Sequence, residues 1–508
     1  MAAKEEIGRL WEFQSADRKR LALWFAVGMA VLVVFAVTRL LYLPPATVFA
    51  AAIIIIFSGL PAWLMLKGHV VGIPIFPVYA ILYIWLFALP LLAEHPKIGE
   101  YSEAEQIMAA LVVSAHLFIG TLFWWILGSR PALSPPRIYL IPEHRGNALF
   151  IALLSLGALV WMAIAGGWFR MQGAIPFPPE VYKLLQRVVI GLSGTAVFVC
   201  SFQMGRRRLS NTQLRLFLAL IALIATAQTA NLYLRDLFWV TVATAVGFTM
   251  GRKQIPWAPL MILIVILSLL HQGKGPMRQK YWKGTNYVSV QPWNYPEWYG
   301  EWFIESLKYR DKIAGEQATD LQALVERGSL VHLYLLVQEQ TSAGKPLLYG
   351  ETYRMIPPML IPRVLYPQKA STMEGLYRLS IYYELQTRES TRRLTIGWGL
   401  LNESLANFGI AGVLMLGVAF GSIFGWISRA TRHLPLFSFR TLSAFLVLGM
   451  VINVEFSMSV FVTALFQAFI PLVALRFFFM KPAVLQKLKG NPSSSATERL
   501  QHLSVASH

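Results

Sequence analysis

The sequence has little of what a soluble or disulfide-bonded protein needs. Only 14% of its 508 residues are charged, whereas 56% are hydrophobic, so a soluble globular core is excluded. The chain has a single cysteine, Cys200. One cysteine excludes an intramolecular disulfide and a metal held by several thiolates. What remains is the class of integral membrane proteins.

Acidic residues are also scarce, with 26 Asp and Glu against 45 Lys and Arg and a formal net charge of +19. The basic residues are spread along the chain rather than gathered in one polar module, which argues against nucleic acid as a partner and for anionic lipid headgroups. No Asp-x-Asp pair occurs within 273–400, so we expect neither a divalent metal nor another cofactor there. No internal repeat is visible, which weakens the case for an inverted-repeat transporter.

Long apolar runs dominate the sequence. Most are about twenty residues long, the length that an α-helix needs to cross a hydrocarbon core of roughly 30 Å. The sequence therefore predicts an all-α integral membrane protein with about twelve transmembrane helices. The predicted spans are 21–43, 46–66, 70–92, 107–127, 148–168, 188–204, 214–234, 237–250, 256–270, 410–427, 439–452 and 460–479.

Basic residues occupy alternate connections, and this alternation orients the chain. Arg130, Arg206 and Arg429 are examples, and the positive-inside rule places such connections in the cytoplasm. Both termini then lie inside, and the first span is expected to be a retained anchor. The predicted parts are a cytoplasmic leader (1–20), helices one to nine (21–272), a mainly helical periplasmic loop (273–400), helices ten to twelve (401–480) and a cytoplasmic, largely disordered tail (481–508).

The long loop carries the first group of residues suited to chemistry. Prolines in the segment 350–369 stiffen the backbone that bears Arg354, Arg363 and Lys369. A planar guanidinium binds two phosphate oxygens at once and keeps its charge near neutral pH, so this pattern indicates a phosphate site. Binding of ordinary lipid headgroups by the same cations is the alternative interpretation.

Further candidates lie on the same predicted face of the membrane. Glu403 stands where the tenth span begins, so it is either the ion-pair partner of a loop arginine or a general base. Arg235 and Asp236 lie between the seventh and eighth spans, where they either neutralise each other or serve the site. The exit of the ninth span adds His271, Lys274 and Arg278.

Two other features describe the loop itself. Aromatic residues are interleaved with charges over 274–310, which is typical of an interfacial belt or of a platform on which sugars stack. Thr319 and Gln322 have capping-box spacing, so a helix is predicted over 319–340. His332 lies within this helix and is expected to be structural.

Two phrases bracket the end of the loop: GETYRMIPPMLIPRVLYPQK at 350–369 and GWGLLNESLANFG at 397–409. With the span layout, they make the chain resemble the Wzy-type polymerases of O-antigen and exopolysaccharide repeat units. The resemblance implies a glycosyltransferase in the bacterial inner membrane. It would move a growing glycan from undecaprenyl pyrophosphate to another lipid-linked repeat unit at the periplasmic face, without a metal.

The resemblance also implies roles for individual residues. Catalysis is expected to involve Glu403 as the base, with Asp236 as its alternative, and Arg363 at the donor. Arg354, Arg363 and Arg392 match the family's loop arginines, and Arg235 matches its intramembrane arginine. The residues expected to bind substrate are Arg235, His271, Lys274, Arg278, Arg354, Lys369, Arg392 and Trp398.

Other functions remain open from the sequence. A ligase-like glycan transferase uses the same donor and leaving group and differs only in its acceptor. A polysaccharide or polyprenyl-lipid transporter would place charges along the span interiors, whereas these spans are mostly apolar. The partners implied are an undecaprenyl-pyrophosphate-linked glycan and membrane lipids. A chain-length regulator and a flippase are further candidate partners, and nucleic acid is not expected.

Overall fold

A computed structural model describes residues 10–93, 95–133, 137–168, 179–232, 234–282, 288–313, 325, 328–362, 365–392 and 395–484. It describes the backbone alone at 179–188, 190, 235–236, 239, 309–313, 392 and 484. About 73% of the described residues are helical, which agrees with the predicted helical class.

The helices follow one another with short connections, except within the long loop. In chain order they are α1 (Ser15–Arg39), α2 (Pro45–Lys67), α3 (Ile75–Leu92), α4 (Glu103–Gly128), α5 (Glu143–Ala165), α6 (Pro179–Gly205), α7 (Asn211–Thr229), α8 (Arg235–Arg252), α9 (Trp257–Tyr281), α10 (Tyr295–Ile313), α11 (Val331–Ser342), α12 (Ile356–Leu360), α13 (Glu374–Tyr382), α14 (Leu400–Thr431), α15 (Phe439–Val451) and α16 (Met458–Phe479).

A helix covers each apolar segment that the sequence predicts to cross the membrane. Within the described ranges, nine are long and apolar enough to span a bilayer: α1 to α5, α7, α9, α14 and α16. Helix α15 is apolar but shorter. The chain is thus a multi-pass helical membrane protein.

The chain also contains a small sheet, so the all-α prediction misses one element. Strand β1 (Arg137–Leu140) pairs antiparallel with β2 (Lys481–Val484), with Arg137 opposite Val484 and Leu140 opposite Lys481. Each strand has four residues, too few for a clear alternation of polar and apolar side chains. Residues 481–484 of the predicted disordered tail are therefore ordered, and 485–508 lie outside the described residues.

The leader and the basic connections meet at one end of the helical bundle, called the basic end here. Trp11 Nε1 donates to the Leu434 carbonyl at 3.2 Å, Arg20 Nη2 to the Lys253 carbonyl at 2.6 Å, and Arg429 Nε to the Pro131 carbonyl at 2.8 Å. The segment between α9 and α14 leaves from the opposite end, called the loop end. These contacts bring the leader and three of the basic connections together, and the long loop lies apart from them.

Close packing of α4 against α14 positions the start of α14. Gly417, Gly421 and Gly425 face the backbone of α4, and a Cβ atom at Gly421 would lie 2.2 Å from the Gly120 carbonyl oxygen. Small residues allow such helices to approach closely and gain van der Waals contact. Gly409, with φ 62° and ψ −154°, interrupts the helical backbone of α14. Residues 400–408 thus form a separate leading piece at the loop end.

Candidate functional site

The leading piece of α14 is polar and buried, and hydrogen bonds to the loop hold it in place. Asn402 Nδ2 donates to the Leu330 carbonyl at 2.9 Å. Asn407 Nδ2 donates to Thr352 Oγ1 at 2.9 Å, and the hydroxyl groups of Tyr353 and Ser404 lie 2.9 Å apart. These contacts explain why α14 begins at Leu400, before the apolar run that starts at 410.

Glu403 lies within this polar piece and is fully buried. Its Oε2 accepts a hydrogen bond from the Met458 backbone N–H, whereas Oε1 has no hydrogen-bond partner among the described residues. Gly375 covers Oε1, since a Cβ atom there would lie 3.6 Å from this oxygen. A buried carboxyl group with an unused oxygen is costly, so its retention requires either a proton or a function.

The ion-pair interpretation of Glu403 finds no partner among the described side chains. The ion pairs of the loop end involve other carboxylates, and none includes Glu403 within the described ranges. Two candidates for such a partner are not described: Arg363 lies outside the described residues, and so does the side chain of Arg392.

A polar cleft opens beside α13, the helix that also covers Glu403. Its volume is about 450 Å³. It is lined by Met355, Ala370, Ser371, Glu374, Tyr377, Arg378, Arg388 and Thr391. Glu374 faces this cleft while the next residue, Gly375, contacts Glu403. The buried carboxyl group is therefore separated from the cleft by the backbone of α13.

Three arginines and two glutamates form an ion network, called the arginine cluster here, of which Glu374, Arg378 and Arg388 line the cleft. Arg388 binds Glu374 with two hydrogen bonds, of 2.7 and 3.1 Å. Arg378 pairs with Glu351 and places its Nε 3.9 Å from Glu374 Oε1. Arg354 Nη2 lies 4.0 Å from Glu351 Oε1. The five side chains carry one surplus positive charge.

The arginines of the cluster are accessible and stay charged. Their side chains are exposed by 74% at Arg354, 39% at Arg378 and 58% at Arg388. The hydrogen bonds that Arg388 donates to Glu374 raise the pKa of its guanidinium above the ordinary value. Ion pairs this exposed contribute little stability, so a phosphate ligand could replace a carboxylate at small cost.

Lys369 also belongs to the 350–369 segment, but its contacts are with the backbone of the loop. Its Nζ donates to the carbonyl groups of Met359 and Ile361, at 2.9 and 2.5 Å. These carbonyls lie at the end of α12, where backbone acceptors have no helical partner. Of the cations predicted in this segment, the structure thus brings Arg354 into the cluster and uses Lys369 to close a short helix.

Arg278 belongs to a different part of the loop end. Its Nη2 donates to the Leu232 carbonyl at 2.8 Å, and its Cζ lies 4.1 Å from the centre of the Trp282 ring. Leu232 packs in a second hydrophobic cluster with Trp298 and Trp302. His271 and Lys274 are half-buried on the same helix, α9. The side chains of Arg235 and Asp236, at the start of α8, are not described.

The aromatic residues of the loop differ in exposure: Trp293 is 69% exposed, whereas Trp302 and Trp398 are fully buried. Trp398 has no exposed surface, donates its Nε1 to Ser380 Oγ at 2.9 Å and lies 5.2 Å from the Tyr383 ring centre. Trp302 is also fully buried and donates to the Leu270 carbonyl at 2.8 Å. These rings hold the loop against the bundle and have no face free for a ligand.

His332, which the sequence places in a structural role, stacks on a second histidine. The ring centres of His332 and His95 lie 5.0 Å apart with planes 15° from parallel, and His332 Nδ1 lies 3.0 Å from Ser329 Oγ. Burial, with nearby His95 and Lys97, lowers the pKa of His332 to about 4. No group of three or more His, Cys, Asp or Glu side chains suited to a metal ion occurs in the part of the chain that the structure describes.

Sequence reasoning misses four of the five residues in the arginine cluster: Glu351, Glu374, Arg378 and Arg388. One local signal exists, since Glu374 and Arg378 are four residues apart, as in a helical ion pair. Such pairs are common on solvated helices and indicate no site by themselves. Only the fold of the loop brings α13, the 350–354 turn and Arg388 together.

No family model, no curated protein and no solved structure matches this chain. The resemblance to the repeat-unit polymerases therefore depends on the two phrases within 350–369 and 397–409 and on the span layout. Any function proposed for this chain therefore has to be argued from the arrangement of the residues at the loop end.

Proposed function

We propose that this protein is a membrane glycosyltransferase that polymerises undecaprenyl-pyrophosphate-linked repeat units at the periplasmic face of the bacterial inner membrane. The observation that carries the proposal is the arginine cluster, which faces a polar cleft at the loop end of an apolar helical bundle. A lipid-linked diphosphate would reach this position from the membrane, and its sugars would extend into the cleft and the solvent.

The charges of the cluster suit a pyrophosphate. Glu351 and Glu374 hold Arg354, Arg378 and Arg388 in place when no donor is bound. Phosphate oxygens accept the same paired hydrogen bonds from guanidinium groups as carboxylates do. A donor can therefore exchange its oxygens for those of the glutamates, so that binding costs little reorganisation of the arginines.

The reaction needs a leaving group, an acceptor and a base. A hydroxyl oxygen of the acceptor repeat unit attacks the anomeric carbon of the donor, the bond from that carbon to the pyrophosphate breaks, and undecaprenyl pyrophosphate leaves. Fixed guanidinium groups offset the charge that develops on the pyrophosphate. We assign the hydroxyl proton to the Glu403 carboxylate, which becomes accessible only if α13 moves Gly375 away from Oε1.

The proposal is tested with purified protein and synthetic undecaprenyl-pyrophosphate repeat units, with product lengths read on a gel. Wild type should yield a ladder of polymer lengths, and Arg378→Ala and Arg388→Ala should each reduce its rate of formation. Lys308→Ala is the matched control, since Lys308 is an exposed, ion-paired cation on α10 outside the cleft. Arg363→Ala tests the residue that the resemblance adds.

Each outcome bears on the proposal. Loss of the ladder in the cleft variants alone supports it. Absence of product from wild type on well-matched repeat units contradicts the enzyme assignment. Transfer of a preformed polymer to a different acceptor, without a ladder, would identify the ligase-like activity instead.

A further inference from the structure

A second cavity lies at the basic end, far from the arginine cluster along the helices. Its volume is about 420 Å³, within the range of about 300–1,000 Å³ that small-molecule sites occupy. Helices α14, α15 and α16 form its apolar walls, with Trp426, Ala444, Val447 and Phe469 among the lining residues. Strand β1 closes one side through Tyr139.

Three arginines line this otherwise apolar cavity: Arg137 from β1, Arg440 from α15 and Arg476 from α16. No Asp or Glu is among its lining residues. Arg476 Cζ lies 4.1 Å from the Tyr139 ring centre, and Arg476 Nε is buried with no hydrogen-bond partner among the described residues. The cavity therefore combines apolar walls with three positive charges that lack a negative partner within it.

The position of the cavity relative to the membrane follows from its neighbours. Arg137 on β1 and Arg440 in the first turn of α15 lie at the basic end, whereas Trp426 belongs to an apolar span and is exposed. Phe477, Phe478 and Phe479 are 74%, 81% and 53% exposed at the end of α16. Three exposed apolar rings at a span end form a surface that favours contact with the bilayer. The arginines would thus lie at headgroup depth and the apolar walls below them.

We propose that this cavity binds one anionic phospholipid of the surrounding bilayer. The phosphate group would lie among Arg137, Arg440 and Arg476, and an acyl chain would fill the apolar part between α14 and α15. Charge complementarity selects an anionic headgroup, because a zwitterionic lipid would leave the three guanidinium groups with little net compensation. An arginine such as Arg476 within a span is costly without a partner, and a phosphate supplies one.

The proposal is independent of the glycosyltransferase assignment, because the cavity and the arginine cluster lie at opposite ends of the bundle. A lipid bound here would join α14, α15, α16 and β1, and would therefore stabilise the fold. We expect a higher melting temperature with the lipid and no direct contact of the lipid with the cleft.

Native mass spectrometry and thermal melting of the full-length protein in detergent test the inference. Phosphatidylglycerol should remain bound and raise the melting temperature, whereas phosphatidylcholine should do neither. The double variant Arg137→Gln and Arg440→Gln should weaken phosphatidylglycerol binding at least about tenfold, as expected for lost charge-assisted hydrogen bonds. Both residues are exposed, so folding should survive. Arg130→Gln, an exposed arginine at the same end but outside the cavity, should bind as wild type does.

Three results would overturn the inference. Equal binding of phosphatidylglycerol by wild type and the double variant would remove the arginines from the site. An equal loss in Arg130→Gln would show general attraction to a basic surface. Tighter retention of undecaprenyl phosphate than of phosphatidylglycerol would show that the cavity serves the polyprenyl lipid and not a bilayer phospholipid.

Discussion

At the scale of single residues, the site depends on how carboxylates are partnered. Glu351 and Glu374 are bound to arginines, so their oxygens are already engaged in charge-assisted contacts. Glu403 has one backbone hydrogen bond and no ion pair among the described residues. It is therefore better suited than the cleft glutamates to accept a proton.

Glu403→Gln should reduce the polymerisation rate by about 100-fold to 10,000-fold, the range lost with a general base. The amide keeps the size of the side chain, and its carbonyl oxygen still accepts from Met458, so the melting temperature should change little. Glu339→Gln, an exposed residue of α11, is the control. A Glu403→Gln variant with more than half the wild-type rate would remove Glu403 from the chemistry.

His332 makes the stability of the loop depend on pH. Burial, then His95 and Lys97, lowers the pKa of His332 from 6.5 to about 4 in the folded protein. Above pH 6.5 the stability from its neutral form is fully present. Between about pH 6.5 and pH 4 the unfolded chain binds a proton at His332 that the folded chain does not. The free energy of unfolding therefore decreases as the pH is lowered through this range.

His332→Gln should therefore flatten the decline of the melting temperature between about pH 6.5 and pH 4. Thermal melting across this range checks it, with wild type measured in the same buffers. An unchanged slope in the variant would assign the decline to other groups.

At the scale of elements, the helices follow from the sequence but several of their ends do not. Apolar runs locate the nine described helices that are long and apolar enough to span a bilayer, because transfer of apolar side chains into lipid is favourable. The apolar run of the ninth span ends at Leu270, yet α9 continues to Tyr281. Helix α14 likewise starts at Leu400, because Asn402 and Asn407 find partners on the loop. Such partners are tertiary contacts, which no local pattern contains.

The candidate site, like the helices, is predictable from the sequence only in part. The stiff 350–369 segment identifies Arg354, and the carboxylate at the start of a span identifies Glu403. Arg378 and Arg388 are missed because their neighbours are distant in sequence. Trp398 is assigned to substrate through the resemblance carried by the 397–409 phrase, whereas its ring packs against α13 and Tyr383.

Trp398 should accordingly matter for stability and not for substrate recognition. Trp398→Ala should destabilise the protein by about 3–5 kcal/mol, as for other buried tryptophans. Trp398→Phe should cost about 1 kcal/mol, because it loses the hydrogen bond to Ser380 and keeps most of the packing. Melting curves and the KM for the repeat unit separate the two roles. A raised KM with an unchanged melting temperature in Trp398→Phe would indicate substrate contact.

At the scale of the whole molecule, the fold keeps two positively charged regions apart. The leader and basic connections meet at one end, and the arginine cluster lies at the other. The positive-inside rule predicts a cytoplasmic basic end, and in that orientation the cleft of the proposed enzyme would face the periplasm. The basic residues of the leader and connections are thus separated from the candidate binding site, whose five side chains carry one surplus positive charge.

This orientation is testable with single cysteines in a Cys200→Ser background, since Cys200 is buried. Leu365→Cys, at an exposed loop position, should react with a membrane-impermeant maleimide in cells whose outer membrane alone is permeabilised. Arg130→Cys, exposed at the basic end, should react only after the inner membrane is opened. The reverse pattern would place the cleft in the cytoplasm and exclude the proposed reaction.

The central claim is that the arginine cluster binds a lipid-linked pyrophosphate, and the affinity of purified protein for undecaprenyl pyrophosphate tests it most directly. Replacing both Arg378 and Arg388 by alanine should raise the Kd by about 100-fold or more, because each of the two lost charge-assisted pairs contributes about 1.5 kcal/mol or more. Lys308→Ala should leave the Kd unchanged. Equal affinity in the double variant and wild type would contradict the account.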